Sequence, residues 1–159
     1  MRFLVVAVSH RQPEWVESAF ADYTKRMPRD ARIERVVLKP EPRPENAGPT
    51  AIDRLLAREA ERILAAVPPR AHRIALDERG RAVTTRDLAR SIESWQAIGG
   101  DVAFLIGSAD GLDATLKSGA QERLALSALT LPHGLVQVLL AEQLFRALSL
   151  IRGHPYHRE

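Results

Sequence analysis

The sequence of 159 residues contains no cysteine, which excludes two kinds of site. Without cysteine there can be neither a disulfide framework nor a thiolate metal site. This absence fits the reducing cytosol, and we expect a cytoplasmic protein. Met1 is followed at once by RFLVVAVS, which has strand length and lacks the basic start and long apolar core of a signal peptide.

Long hydrophobic runs and the common nucleotide-binding motifs are also missing. The longest apolar stretch falls short of the roughly 20 residues that cross a bilayer, so we expect no membrane association. The turn after the first apolar segment reads SHRQPEW and has no G-x-G-x-x-G pattern, and no G-x-x-x-x-G-K-[ST] loop occurs. Ordinary Rossmann and P-loop cofactors are therefore disfavoured.

Lysine is scarce, since only Lys25, Lys39 and Lys117 accompany 20 arginines among the 23 basic residues. The formal net charge is +3, and the sequence pI is about 9.8. Arginine can bind phosphate through two parallel hydrogen bonds, so the charge weakly indicates a polyanionic partner such as nucleic acid. With 45% hydrophobic and 27% charged residues, the composition is that of a soluble globular domain.

Strand-like and helix-like segments alternate along the chain. Apolar runs predict strands at 2–8, 32–38, 72–77, 101–107 and 123–127. Helical spacing predicts helices at 13–27, 50–67, 84–98, 112–120 and 135–151. Thr50 and Asp53 suggest a capping-box-like start for the second helix. The alternation predicts one α/β domain over 1–159, with a mainly parallel sheet covered by helices on both faces.

Ligands of such sheets bind beyond the carboxyl ends of the strands, which makes three loops candidates for a site besides the SHRQPEW turn after Val8. They are LDERG (76–80), GSADG (107–111) and LSALTLPH (126–133). The first two also fit plain turns capped by Asp77 and Asp110. The third is apolar and rich in hydroxyls, which suits a flat heteroaromatic ligand, although it also fits a core-packed loop with His133 as a helix cap.

The chain ends in RGHPYHRE (152–159), where two histidines, a tyrosine and two arginines are crowded together. These side chains could stack on a nucleic-acid base and bind phosphate, or they could form a solvated tail. The histidine spacing is poor for a metal, and we expect no metal site.

IGSADG, LSALTLPHGLVQVLLAEQLFRA and HPYHRE together resemble the RlmH family of the SPOUT superfamily. That family consists of methyltransferases acting on N3 of a pseudouridine in bacterial 23S ribosomal RNA. The resemblance covers essentially the whole chain. It implies a homodimer whose last helix helps form the interface, a substrate within the 70S ribosome, and a trefoil knot in a cofactor-binding part at about 72–159.

The resemblance also implies S-adenosylmethionine as cofactor and S-adenosylhomocysteine as product. The cofactor contacts fall, by motif matching, on Leu76, Gly107, Leu126, Ser127, Ala128, Leu129, Thr130 and Leu131. The catalytic group is expected in the tail, at His154, Tyr156, His157 and Arg158. Two positions depart from the family pattern: Ser108 stands where a second glycine is common, and Gln137 stands where arginine is frequent.

Two other functions compete with this expectation. A ribosome-binding module that kept the fold and lost the chemistry would explain the departures at Ser108 and Gln137. A different SPOUT methyltransferase acting on tRNA is disfavoured by the short chain and the PYHRE ending. Binding of S-adenosylmethionine would discriminate against the first, and the RNA that accepts the methyl group would discriminate against the second.

Overall fold

A computed structural model of the chain describes residues 1–157 and contains one five-stranded sheet. The strands are β1 (Arg2–Val8), β2 (Arg32–Leu38), β3 (His72–Ala82), β4 (Val102–Ile106) and β5 (Glu122–Ala125). The helices are α1 (Glu14–Arg26), α2 (Pro49–Ala66), α3 (Thr85–Ile98), α4 (Ala114–Ser118) and α5 (His133–Ile151), and a 3₁₀ turn spans Pro155–His157.

The sheet has the strand order β2-β1-β4-β3-β5, and every pair of neighbouring strands is parallel. After β2, which lies at one edge of the sheet, the chain crosses over to form β3 next to the opposite edge strand, and β4 then lies between β1 and β3. This arrangement confirms the predicted α/β class. It also brings the carboxyl ends of β1, β3, β4 and β5 to the same edge of the sheet.

Both faces of the sheet are covered by apolar side chains. Phe3, Val5 and Phe104 point to one face, where α1, α3 and α5 pack. Leu4 and Leu105 point to the other face, where α2 and α4 pack. The alternation follows from the period of two in a strand, and it explains why β1 reads as a continuous apolar run.

Two local expectations were wrong. β3 does not end at Asp77 but continues to Ala82, because after a register irregularity between Leu76 and Arg81 the chain pairs again with β5. Gly80 permits this second pairing, since a Cβ there would lie 2.7 Å from backbone of Leu124. α2 has no capping box at its start either. Its N-cap is Gly48, followed by proline at the first helical position, where the missing N–H costs nothing.

α5 is the most apolar helix and is built into the core. Leu140, Ala141 and Leu144 are fully buried. By length and composition alone, this helix of 19 residues would pass as a membrane span. In residues 1–157 it is the central helix of one face of the sheet and contacts both α1 and α3. Leu135 is exposed, and several other apolar residues of the helix are only half-buried.

Candidate cofactor cleft and carboxyl-terminal tail

A cleft of about 390 Å³ opens at the carboxyl-terminal edge of the sheet. Three loops build it: the irregular part of β3, the loop after β4, and the loop between β5 and α5. Seven of the eight predicted cofactor contacts line it, namely Leu76, Gly107, Leu126, Ser127, Leu129, Thr130 and Leu131. The eighth, Ala128, lies within the same loop but does not line the cleft.

The loop between β5 and α5 forms an apolar wall that faces outwards. Leu129 is 74% exposed, and its neighbours Ala128 and Thr130 are exposed as well. The alternative of a core-packed loop is therefore wrong for this part of the segment. Ser127 Oγ accepts a hydrogen bond of 2.9 Å from the backbone N–H of Leu129, which fixes the turn locally. An exposed leucine held on such a turn offers one side of a site for a flat ring.

The loop after β4 is closed on itself and leaves no room for a larger residue at Gly107. The backbone N–H of Gly111 donates to the carbonyl of Ser108 at 2.8 Å, and Gly111 has φ of +85°. A Cβ on Gly107 would come within 2.7 Å of the nitrogen of Leu112 and would be closer still to the carbonyl group of Gly111. Glycine at 107 is thus required by the backbone itself.

Charged side chains of both signs surround the mouth of the cleft. Asp77 pairs with Arg123 at 2.6 Å and with Lys117 at 3.6 Å. Burial opposes the ionisation of Asp77, but hydrogen bonds from Arg123 and from the backbone N–H of Arg79, together with the Lys117 charge, outweigh it and hold its pKa below the ordinary value. Asp77 is therefore a paired carboxylate at neutral pH.

His133 lines the same cleft and was not predicted as a site residue. The alternative in which it caps the last helix is wrong, because Pro132 occupies the N-cap and no side chain caps the helix. Burial lowers the pKa of His133 below its usual value, so the imidazole is neutral at physiological pH. Its position in the LTLPHG motif, directly after the predicted contacts, was the available sequence signal.

Ser108, the first departure from the family pattern, lines the cleft and is largely buried. Its hydroxyl donates to Glu59 Oε1 at 2.8 Å and accepts from Arg43 Nη2 at 2.8 Å. Glu59 is only 3% exposed, and Arg43 also bonds to it at 3.0 Å. The serine side chain therefore fits the turn through two good hydrogen bonds.

Gln137, the second departure, is fully buried in α5. Its Oε1 accepts a hydrogen bond of 2.9 Å from Arg35 Nη1 of β2. Arg35 also pairs with Glu17 of α1, and its guanidinium carbon lies 4.4 Å from the ring centroid of Phe20. Arg35 of β2 thus supplies a positive charge next to position 137.

The described part of the tail, residues 152–157, lies at the other end of α5 from the cleft. The ring of Tyr156 is 4.6 Å from that of Phe145, its hydroxyl donates to Glu142 at 3.2 Å, and Arg146 lies over its face at 5.0 Å. Phe145 follows His133 by about three helical turns, which is roughly 18 Å along the axis. Within one chain, the tail residues and the cleft therefore form two separate places.

The described tail residues differ in their environments. Burial, followed by a hydrogen bond with Tyr23 and the charge of Glu142, raises the pKa of Tyr156 to about 12, so its phenol stays protonated. His154 is exposed and its Nδ1 accepts from the backbone N–H of Tyr156 at 3.2 Å. The Nδ1 of His157 is buried without a partner among residues 1–157. Arg158 lies outside the described residues.

Metal ligands are not clustered in the part of the chain that the structure describes. No group of three or more histidine or acidic residues there is arranged to hold a metal ion.

Comparison with known proteins places the chain among methyltransferases. The family model "Predicted SPOUT methyltransferase" matches residues 1–157. A protein of Nitrosospira multiformis is 56% identical over 158 residues, which cover 99% of both chains. A protein of Ralstonia pickettii is 52% identical over the same share, and one of Laribacter hongkongensis is 50% identical over 100% of both chains. All three bear the name ribosomal RNA large subunit methyltransferase H.

A solved structure supports the fold independently. It is that of a probable methylase family protein from Haemophilus influenzae Rd KW20, which matches with a TM-score of 0.53 at 16% identity and covers 99% of this chain and 70% of its own. At this identity the likeness concerns the fold alone. Because the family model spans nearly the whole chain and full-length relatives share half of its residues or more, the chain belongs to the SPOUT methyltransferase family.

Proposed function

We propose that this protein transfers a methyl group from S-adenosylmethionine to N3 of a pseudouridine in 23S ribosomal RNA. The observation that carries the proposal is the cleft at the carboxyl-terminal edge of the sheet, where seven of the eight expected cofactor contacts meet. SPOUT methyltransferases in general use this cofactor. The names of the full-length relatives support large-subunit ribosomal RNA as the substrate, and hence action in the cytoplasm.

The residues of the cleft fit the two ends of the cofactor. The apolar wall around Leu129 and Leu131 suits the adenine ring, whose burial would cover a leucine that is now 74% exposed. The mouth carries Lys117 and Arg79 beside Glu78 and Asp110, which suits the amino and carboxylate groups of a methionine. When bound, S-adenosylmethionine supplies a methyl group that its sulfonium already activates.

The residues of this chain must then orient the base and remove a proton. We assign proton uptake from N3 to an imidazole of the tail, on His154 or His157, while the nitrogen forms its bond to the methyl carbon and the carbon–sulfur bond breaks. Tyr156 stays protonated at neutral pH because its pKa is about 12, so it stacks or donates a hydrogen bond. Arg158 binds phosphate or the charge that develops on the base.

These roles require two copies of the chain. Because roughly 18 Å of α5 separates the start of the cleft from Phe145, the tail can meet a cleft only if the two belong to different protomers. We therefore propose a homodimer in which α5 contributes to the interface. The exposed Leu135, the half-buried apolar residues of α5 and Trp15 of α1, which is 58% exposed, supply the apolar surface that a second copy would cover. The single domain and the trefoil knot implied by the resemblance belong to this proposal.

The deciding experiment is transfer of a labelled methyl group from S-adenosylmethionine to ribosomes that lack the modification. Intact 70S ribosomes, separated subunits and bare RNA are compared. We expect label on one pseudouridine of large-subunit RNA, and only in the assembled particle. Label on tRNA instead would overturn the proposed substrate. No label on any acceptor, together with no cofactor binding, would favour a ribosome-binding module without chemistry.

A second experiment tests the composite site. Deleting residues 154–159 is expected to abolish methyl transfer while sparing cofactor binding. Mixing this deletion with a cleft variant such as Leu129→Asp should restore activity, since a mixed dimer contains one intact cleft facing one intact tail. Full activity of the deletion alone would refute the role of the tail, and failure of the mixture to recover would refute the arrangement across the dimer.

A further inference from the structure

The loop that forms one wall of the cleft is held from behind by an ionic network that no sequence motif marks. Arg43 lies in the proline-rich connection between β2 and α2, and Glu59 lies in the middle of α2. Neither lines the cleft, whereas Ser108 and Asp110, which they contact, do. We propose that Arg43 and Glu59 are positioning residues that set the shape of the loop after β4 (residues 107–111), called the cofactor loop below. This inference rests on the proposed function.

Arg43 forms hydrogen bonds with the loop at two points. Its Nε donates to Asp110 Oδ2 at 2.9 Å, and its Nη2 donates to Ser108 Oγ at 2.8 Å. A third bond of 2.7 Å from Nη1 to the carbonyl of Glu41 ties the guanidinium to its own segment. Because the guanidinium is planar and all three nitrogens are engaged, Arg43 fixes the orientation of the turn as well as its position.

Glu59 anchors this arrangement in the protein interior. It is 3% exposed, and its Oε1 accepts from both Arg43 and Ser108. Its Oε2 is buried and has no partner among residues 1–157. A buried carboxylate of this kind persists only when a paired cation compensates its loss of water, so α2, the connection and the cofactor loop are held as one unit.

The network therefore connects an external segment to the cofactor site. Ser108 and the residues on either side of it form a turn that lines the cleft. Displacement of that turn by about 1 Å would misplace a bound ligand. Loss of Arg43 removes a hydrogen bond from each end of the turn and leaves only the bond from Ser108 to Glu59. Loss of the Ser108 hydroxyl frees only one of them, because the bond from Arg43 to Asp110 remains.

Arg43→Gln tests the proposal, and Arg62→Gln is the matched control. Arg62 binds the same connection through the carbonyl of Lys39 and the carboxylate of Glu41, but it does not touch the cofactor loop. We expect Arg43→Gln to raise the Kd for S-adenosylmethionine about tenfold, Ser108→Ala about threefold, and Arg62→Gln less than twofold. Calorimetric titration well below the Tm of each variant provides the values.

Kinetics separate positioning from general damage. In methyl transfer to ribosomes, Arg43→Gln should raise the KM for S-adenosylmethionine by the same factor and leave kcat at saturating cofactor within about twofold. If Arg43→Gln does not fold, Arg43→Lys keeps a charge opposite Glu59 and should still lose several-fold in affinity, because an ammonium cannot make all three bonds. Equal affinities of wild type and Arg43→Gln, or an equal loss in Arg62→Gln, would overturn the inference.

A readout without ligand keeps this inference separate from the proposed function. Hydrogen exchange of the Gly111 N–H, which is bonded to the carbonyl of Ser108, should be faster in Arg43→Gln than in wild type and unchanged in Arg62→Gln. If the wild type fails to bind S-adenosylmethionine but the exchange rates of wild type and Arg43→Gln still differ, the proposed function is refuted and the network is not. Unchanged exchange in Arg43→Gln would refute the network.

Discussion

Replacing Gly107 by alanine is expected to distort the cofactor cleft and to leave the fold intact. The new Cβ would lie 2.7 Å from the nitrogen of Leu112 and nearer still to the carbonyl group of Gly111. These are backbone atoms, and an ordinary contact needs roughly 3.4–4 Å, so the turn must move by about 1 Å. Overpacking of this kind costs about 1–3 kcal/mol, and a displacement of 1 Å at a binding site costs on the order of a hundredfold.

The assay combines thermal unfolding with calorimetric titration of S-adenosylmethionine, and Gly48→Ala serves as control. A Cβ at Gly48 meets nothing within 4 Å, although alanine is a poorer N-cap and costs up to about 1 kcal/mol. We expect Gly107→Ala to lose one to two orders of magnitude in affinity and Gly48→Ala to bind like wild type. A folded Gly107→Ala protein that binds within threefold of wild type would refute the reasoning that this backbone shapes the cleft.

Three further predictions concern the core, a half-buried carboxylate and the tail. Leu144→Ala, at a fully buried site, should lower the free energy of unfolding measured in urea by about 2–5 kcal/mol. Leu129→Ala, at 74% exposure, should change it by less than about 0.5 kcal/mol and weaken cofactor binding instead. Equal losses of stability would contradict the assignment of Leu129 to the cleft wall. Glu122→Gln should lower the free energy of unfolding by about 1–3 kcal/mol at pH 7. Because the pKa of Glu122 lies below its ordinary value, this difference between variant and wild type should disappear as the pH falls through the folded-state pKa. An equal difference in acid would contradict the prediction. Alkaline titration of phenolate absorbance in wild type and Tyr156→Phe, which differ in one of only two tyrosines, should place the pKa of Tyr156 at about 12, and a value near 10 would contradict its burial.

The direction of the pH effect at Glu122 follows from its partners. Burial alone would raise its pKa, but hydrogen bonds from the indole of Trp95 and from His72, both 2.8 Å long, stabilise the charged form more strongly. A depressed pKa in the folded state stabilises the fold above the unfolded-state value and loses that contribution towards acid. Urea titrations at neutral and acidic pH would measure it.

The fold could be predicted largely from local patterns, because buried parallel strands leave a plain apolar signature. β1 and β2 have the same bounds in the sequence prediction and in the structure. The ends of the other elements shift by at most two residues, except that β3 continues five residues further. The extension of β3 to Ala82 could not be predicted, since it depends on pairing with a strand about forty residues later and on the close backbone approach at Gly80. Strand order likewise follows from long-range packing.

The candidate site shows the same division between local and distant determinants. The apolar loop around Leu129 and the glycine at 107 could be predicted because each motif is contiguous and its residues line the cleft together. Arg43 and Glu59 stand 65 and 49 residues from Ser108 and belong to segments that read as a loop and an ordinary amphipathic helix. Only the folded chain brings them together, so the sequence held no signal that linked them to the cofactor loop.

The placement of functional groups along α5 has a consequence for how such a small chain can act on RNA. One end of the helix borders the cleft through His133, and the other end carries the ring of Tyr156 on Phe145. A helix is rigid over this length, so neither group can approach the other within a chain. A two-fold axis across α5 would, in contrast, bring each tail to the cleft of the second copy. In the proposed dimer, each site would then be completed by the second chain.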